Sequence, residues 1–329
     1  MKEGGADLKM GNMYGYGDIR LFAGSASQEL AKEISEYLSV PLSGYDLVEF
    51  QNENLFIRLH GSVRGQDVYL IQSMSPPVHR NLMEMLIMID CLKRDSAGRI
   101  TAVFPYMAYA RSDKKDQPRV PISARLVVDM IEVAGTDRYI TIDLHAGQIQ
   151  GFFSIPGDVL TTFHMLSDYF IAKKLENVVV ATADLGFAKK GRNFAAKLGV
   201  PLAFVEKRRV SEDSRARATT VIGDVKDKDV IIVDDEVLTG GSLCDAARIV
   251  QENGARDIYF SFAHALLVPP AVDSLTTVEG VKEIVTTNTV QIDPEKLLPK
   301  MTVLSVAPLL GEVILRAHEG RSVGELFNE

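Results

Sequence analysis

The 329-residue chain has no tryptophan and two cysteines, Cys91 and Cys244. Cys91 sits in an apolar helical pattern with Met88, Ile89 and Leu92, whereas Cys244 follows a glycine turn far along the chain. Two thiols so placed exclude a disulfide scaffold and cannot build a zinc cage by themselves. No uncharged apolar run reaches the roughly 18 residues that a membrane span requires. The opening MKEGGADLKMGNMYGYGD lacks the apolar segment of a signal peptide, so residues 1–17 read as a flexible, glycine-bearing tail and a cytoplasmic location is expected. Positive charge is also in deficit, with 36 Lys and Arg against 44 Asp and Glu and a formal net charge of −8. Neutralising a nucleic-acid backbone needs the opposite balance, so neither nucleic acid nor membrane is expected as a partner.

Hydrophobic residues make up 46% and charged residues 24% of the chain, which excludes wholesale disorder. The length suits about two domains, each able to bury a core. Short β-rich runs alternate with amphipathic helical patterns throughout. Strands are expected at 19–23, 55–59, 68–72, 102–105 and 139–143, and helices at 29–38, 82–92 and 122–133. Leu82, Met85, Leu86 and Ile89 recur at i, i+3, i+4 and i+7, a buried helical stripe. The second half repeats the rhythm, with strands at 178–183, 202–205 and 230–233 and helices at 188–198 and 243–252. Apolar β-branched runs of this kind suit strands buried on both faces. The alternation predicts an α/β protein of two αβα domains with parallel-rich sheets, joined near residues 155–161.

Chemistry concentrates in residues 230–242, VIIVDDEVLTGGS. Four apolar β-formers give a buried strand, and Asp234 and Asp235 stand where that strand is expected to end. Thr239, Gly240, Gly241 and Ser242 then open a helix, with Ser242 and Asp245 spaced like a capping box. A glycine turn at a helix start offers backbone N–H groups and a positive dipole end to a phosphate. Adjacent carboxylates suit vicinal sugar hydroxyls or a magnesium ion. The bland alternative is a capped helix after a tight turn.

This run resembles the phosphoribosyl-pyrophosphate motif shared by type I phosphoribosyltransferases and ribose-phosphate pyrophosphokinases. Further segments are similar to the pyrophosphokinases alone. They are residues 62–68, SVRGQDV; 104–111, FPYMAYAR; 141–153, TIDLHAGQIQGFF; 206–209, EKRR; 305–310, SVAPLL; and 318–323, HEGRSV. The likeness runs from about Ile19 to Phe327. It implies transfer of the diphosphoryl group of ATP to the C1 hydroxyl of ribose 5-phosphate, in two domains of type I phosphoribosyltransferase-like fold. Residues 18–158 would form the first, completed by a helix near 307–320, and 159–306 the second.

The resemblance also implies roles. Thr239, Gly240, Gly241 and Ser242 would cradle the 5-phosphate, with Asp234 and Asp235 on the ribose hydroxyls. His145 and Asp184 would hold Mg²⁺. Lys207 and Arg209 would act on the transferring group from a lid that follows the strand at 202–205. Phe50, Asn52, Asn54, Arg111 and Ser112 would bind ATP, and dimers assembled into a hexamer would share those ATP sites. Some positions depart from the family pattern: Asn52 and Asn54 replace acidic residues, Ser112 a glutamine, Gly61 a glutamate, Phe187 a turn glycine and Leu238 an aspartate. These departures keep a second reading open, a regulatory or attenuated paralogue that assembles with an active synthetase. A type I phosphoribosyltransferase accounts for residues 230–242 but not for the first half of the chain.

The asparagines generate a test. Asn both donates and accepts hydrogen bonds where a carboxylate only accepts. Replacing Asn52 and Asn54 by Asp and Glu is expected to raise the preference for ATP over GTP in kcat/KM. An unchanged ratio would remove this segment from base recognition.

Overall fold

The structure, a computed structural model, describes residues 15–183, 185–209 and 217–324, with the backbone alone at 185, 206–209 and 217–219. Most of the expected tail, Asp184 and most of the expected lid therefore lie outside the described residues. Residues up to Val159, together with those from Ala307, form one compact unit, and Leu160–Val306 form a second.

In the first unit the chain runs through β1 (Ile19–Ala23), α1 (Gln28–Leu38), β2 (Tyr45–Glu49), β3 (Leu55–Leu59), β4 (Asp67–Ile71), α2 (Val78–Arg94), β5 (Arg99–Phe104), α3 (Ser123–Ala134), β6 (Arg138–Ile142) and β7 (Gly157–Leu160). The sheet order is β1-β4-β5-β6-β7, and β1, β4, β5 and β6 pair in parallel. β2 and β3 form a separate antiparallel hairpin. β4 and β5 are buried at every residue. Val68, Leu70, Ile100 and Ala102 meet a stripe on α2, Leu82, Met85, Ile89 and Leu92, so the periodicity in the sequence is the packing face itself. Each such side chain contributes about 1.5–3 kcal/mol when buried.

The second unit follows as α4 (Phe163–Lys173), β8 (Val178–Thr182), α5 (Ala188–Leu198), β9 (Leu202–Arg209), β10 (Arg217–Ile222), β11 (Asp229–Val237), α6 (Gly241–Glu252), β12 (Ile258–Ala265), α7 (Ala271–Thr277), β13 (Val281–Thr287) and β14 (Met301–Leu304). Its sheet order is β10-β9-β8-β11-β12-β13-β14, parallel except where β10 turns back along β9. Strand alternation divides the core in two. Val179, Val230 and Ile232 pack with Leu243, Ala247 and Leu275 of α6 and α7. Val178, Val180, Ile231 and Val233 pack on the opposite face with Leu166, Phe170 and Phe194 of α4 and α5. Among the described residues no helix is long and apolar enough to cross a membrane.

Two strands outrun their expected ends. β9 continues to Arg209 because β10 hydrogen-bonds beside it, Lys207 opposite Thr219 and Arg209 opposite Arg217. Lys207 and Arg209 therefore belong to a strand rather than to the loop that was expected to follow residue 205. β11 continues to Val237 because β12 runs alongside it to the pair Val237–Ala265. Asp234 and Asp235 thus lie within the strand, not past its end.

α8 (Ala307–Glu319) brings the chain back to the first unit, where it packs on α1 closely enough that a Cβ at Gly311 would lie 2.4 Å from Tyr37 Cδ1. A buried charge cluster fastens its end. Asp67, fully buried, opens β4 beside Arg99, 5% exposed, at the start of β5. Arg99 donates to both Asp67 oxygens, at 2.7 and 2.6 Å, and to the Ala317 carbonyl at 3.1 Å. His318 Nδ1 lies 2.8 Å from Asp67 Oδ2, and the Tyr69 hydroxyl donates to the same carboxylate at 3.0 Å. Burial alone would raise the Asp67 pKa, but the hydrogen bonds from His318 and Arg99, with the Arg99 charge, outweigh it and hold it below 3.8.

Removing one partner of a buried pair strands the other charge, so Asp67→Asn is expected to cost about 3–5 kcal/mol in urea unfolding. The sign of the pH dependence follows from the lowered pKa. The contribution is whole above the unfolded-state value of 3.8 and is lost as pH falls through the lower folded value. An unchanged urea midpoint for the variant would show that the cluster does not hold α8.

Candidate functional site

Parallel strands place all their carboxyl ends on one edge, and the polar segments singled out in the sequence collect at such edges. In the second unit β11 delivers them. Asp234 is half-buried, and Asp235 and Glu236 are 6% and 9% exposed. Each carboxylate folds onto the following amide: Asp235 N–H donates to Asp234 Oδ1 at 2.9 Å, and Glu236 N–H to Asp235 Oδ1 at 2.8 Å. Glu236 passed unremarked in the sequence, where three consecutive acidic residues read as the end of a strand rather than its continuation.

The turn after β11 is built for close approach. Gly240 takes φ +76°, the left-handed region that favours glycine, and is the N-cap of α6. As a glycine it offers this helix no side-chain cap. The expected Ser242–Asp245 capping box is therefore not formed, because the Gly240 turn starts the helix before Ser242 and leaves that residue inside the first turn. Thr239, Gly241 and Ser242 are exposed. The first amides of an α-helix have no carbonyl four residues back, so this uncapped end presents donors and a positive dipole end to an anion.

β8 and β9 lie next to β11 in the order β9-β8-β11. Asp184 directly follows β8 but lies outside the described residues. Phe204 pairs with Thr182, so β9 overruns the end of β8 by several residues and Lys207 stands beyond it on the same edge. Phe187, which replaces a turn glycine, packs against the α4–α5 side of the core, with Lys190 Nζ 5.4 Å from its ring centre.

The first unit has its own polar edge. β5 leads into the loop carrying Arg111 and Ser112, and β6 leads into His145. Asp143 has φ +44°, rare for a residue other than glycine and a form of strain that collects at functional sites. It turns the chain so that His145 is exposed. The buried Asp113 accepts a hydrogen bond from Gln148, which joins the two sequence segments physically. Arg111 is exposed. Ser112 is committed to the fold: its Oγ accepts the Ser123 N–H at 3.2 Å and its carbonyl the Ala124 N–H at 3.1 Å, at the start of α3.

Phe50, Asn52 and Asn54 lie at the tip of the β2–β3 hairpin. Phe50 is 52% exposed, and its amide donates to the Asn54 carbonyl at 2.9 Å across the turn. The structure thus groups Asp234 and Asp235 with residues 239–242 in the second unit, and Arg111 and Ser112 with His145 in the first, where Phe50, Asn52 and Asn54 share the hairpin tip. A metal would meet the exposed His145 imidazole on the first unit's edge and the carboxylates of β11 on the second's, each a sparse donor set by itself. That suits Mg²⁺, which keeps much of its shell for phosphate oxygens and water rather than entering a protein cage.

Comparison with known proteins gives one answer along the chain. Residues 19–135 match the profile of the N-terminal domain of ribose phosphate pyrophosphokinase, and residues 211–328 match the phosphoribosyl synthetase-associated domain. A ribose-phosphate pyrophosphokinase of Caldanaerobacter subterraneus is 45% identical over 94% of this chain and 98% of its own length. One from Rhodopirellula baltica is 42% identical over 95% and 99%. The crystal structure of phosphoribosylpyrophosphate synthetase from Mycobacterium smegmatis superposes with a TM-score of 0.88, at 42% identity, covering 92% of this chain and all of that one.

The two glycines of the turn separate folding from anion binding. A Cβ at Gly241 would meet only Thr239 Oγ1 at 3.8 Å, an ordinary contact, whereas Gly240 occupies a left-handed conformation. Gly240→Ala is expected to cost about 1 kcal/mol or more of stability. Gly241→Val should leave the fold intact while its side chain occupies the anion's place, lowering ribose 5-phosphate affinity at least tenfold by calorimetry. Unchanged affinity would reduce the turn to a helix start.

Proposed function

This chain belongs to the ribose-phosphate pyrophosphokinase family, and on that premise we propose that it transfers the diphosphoryl group of ATP to ribose 5-phosphate. The sugar's C1 hydroxyl oxygen attacks the β-phosphorus, the bond from that phosphorus to the α,β-bridging oxygen breaks, and AMP leaves. The hydroxyl proton passes to solvent. One observation carries the reading: the uncapped, glycine-opened start of α6 directly after the acidic end of β11. Near-complete coverage of relatives with this activity, in both directions, supports it.

Phosphoryl transfer asks the protein chiefly to position groups and neutralise charge. Amides of residues 239–242 hold the 5-phosphate, and the carboxylates of Asp234 and Asp235 accept hydrogen bonds from the ribose hydroxyls, which sets C1 toward the ATP. Phe50 offers its exposed ring to the base, with Asn52 and Asn54 beside it. Arg111 neutralises the ATP phosphates, and Ser112, which fastens that loop to α3, fixes its place. His145 and Asp184 hold Mg²⁺, which when bound neutralises and orients the ATP phosphates. Lys207 and Arg209 bring two cations to the transferring group. Their position on an antiparallel hairpin gives the lid a stem, β9–β10, rather than a free loop. The enzyme acts in the cytoplasm in nucleotide biosynthesis, as a homo-oligomer of dimers assembled into a hexamer.

AMP formation from ATP, ribose 5-phosphate and Mg²⁺ is the direct assay. Lys207→Ala is expected to lower kcat by roughly 10²–10⁴-fold, the cost of losing one preorganised cation in the transition state. Affinities for both substrates should change far less. Asp213→Ala, a carboxylate in the same lid, should remain active. Full turnover in Lys207→Ala removes the lid assignment; a wild type without turnover that modulates an active relative would make this chain a regulator.

A further inference from the structure

Glu84 is 1% exposed on α2, and the reaction makes no use of it. One of its oxygens accepts the Ser25 N–H at 2.8 Å and the Ser25 hydroxyl at 2.9 Å, just past the end of β1. The Tyr45 hydroxyl, at the root of β2, donates to the Ala23 carbonyl at 2.8 Å and lies 3.4 Å from the same Glu84 oxygen. Glu84's other oxygen accepts from Arg80 Nη1 at 3.0 Å, and Arg80 Nε donates to Glu49 at 2.9 Å. Glu49 is the last residue of β2, immediately before the Phe50–Asn54 turn. One buried carboxylate therefore lies beside the root of the hairpin at Tyr45 and holds it near its tip through Arg80.

The grip near the tip bridges open space. Arg80 and Glu49 line a cavity of about 660 Å³ with Asn54, His79 and Met83, so the tip is not simply packed down on α2. The turn is rigid in itself: Phe50 N–H donates to Asn54 O at 2.9 Å and Glu53 N–H to Phe50 O at 2.8 Å. Fixing Glu49 therefore fixes the whole tip. The ion pair contributes little to stability, because the Arg80 and Glu49 side chains are 32% and 45% exposed. Its effect is geometric. A hairpin already held in place does not pay the ordering cost again when a ligand arrives.

We propose that Arg80, anchored by buried Glu84, is a positioning residue for ATP: its bond to Glu49 holds the hairpin tip where the base binds. This rests on the assignment of Phe50, Asn52 and Asn54 to ATP. The planar guanidinium suits the task, because one fork reaches two carboxylates on different elements.

The test measures KM for ATP, KM for ribose 5-phosphate and kcat in the full-length enzyme for Arg80→Gln, Glu49→Gln, the double variant and Phe50→Ala. Each single substitution at the strap is expected to raise KM for ATP about 3- to 10-fold. The double variant should match either single one, since both remove the same bond. KM for ribose 5-phosphate and kcat should stay near wild type, and so should the Tm of Glu49→Gln, whereas Arg80→Gln also leaves buried Glu84 without its cation and should lower Tm. If the strap variants leave KM for ATP unchanged while Phe50→Ala raises it, the proposal is overturned and the tip keeps its role. If Phe50→Ala also has no effect, the ATP assignment of the tip fails and takes the proposal with it. A rise in both KM values, a fall in Tm for Glu49→Gln, or additive single effects on KM for ATP would mark a general structural role and overturn the proposal as well.

Discussion

Strands buried on both faces leave polar groups almost nowhere to go. β4, β5, β8 and β12 are buried at every residue, and apolar helices cover the second sheet from both sides. Side chains that must meet charged ligands are excluded from these sheets and concentrate where strands stop. Parallel pairing puts those stops on a common edge. That constraint is why carboxylates, an imidazole and a glycine turn, scattered over a hundred residues of sequence, gather in small groups. It also explains why a modest stretch of irregular chain after each strand carries most of the chemistry.

The same constraint made much of the fold legible. An apolar β-branched run has few alternatives to a buried parallel strand, and a stripe such as Leu82, Met85 and Ile89 has few alternatives to a helix packed on one. Strand ends were harder to read because pairing partners set them. Residues 206–209 are charged and look like loop, but β10 pairs with them through the backbone, which is indifferent to side-chain polarity. Residues 234–237 stay in strand because β12 runs on beside them. The helix cap was misjudged for a related reason: spacing made Ser242 a candidate, and the conformational freedom of Gly240 decided the matter first. The glycine turn itself was plain in the sequence, whereas its role as sole cap was not.

Two carboxylate clusters illustrate how burial divides labour among charges. Asp67 and Arg99 lie in the interior with their hydrogen-bonding capacity committed, so they act on stability. Glu84 is equally buried, yet it hands its influence outward through Arg80 to a partner near water. A rigid interior point connected to a solvated lever can set the position of a surface segment without locking the segment into the core. Tyr45 belongs to the same arrangement: burial, then the neighbouring Glu84 charge, push its hydroxyl well above the usual tyrosine pKa, so it stays a hydrogen-bond donor at any physiological pH.

The return of α8 to the first unit bears on how the molecule is made. Translation delivers β1 through β7 first, but the helix that packs on α1 and meets Asp67 is encoded beyond the whole second unit. At about 5–20 residues per second, the roughly 150 intervening residues occupy the ribosome for about 10–30 s. During that interval the surfaces of Tyr69 and Tyr37 that α8 will meet remain open to water and to other nascent chains. The second unit, by contrast, is contiguous and can close as it emerges. The first unit is therefore completed only after the second has been made, and the final helix acts as the clasp that ends the vulnerable period.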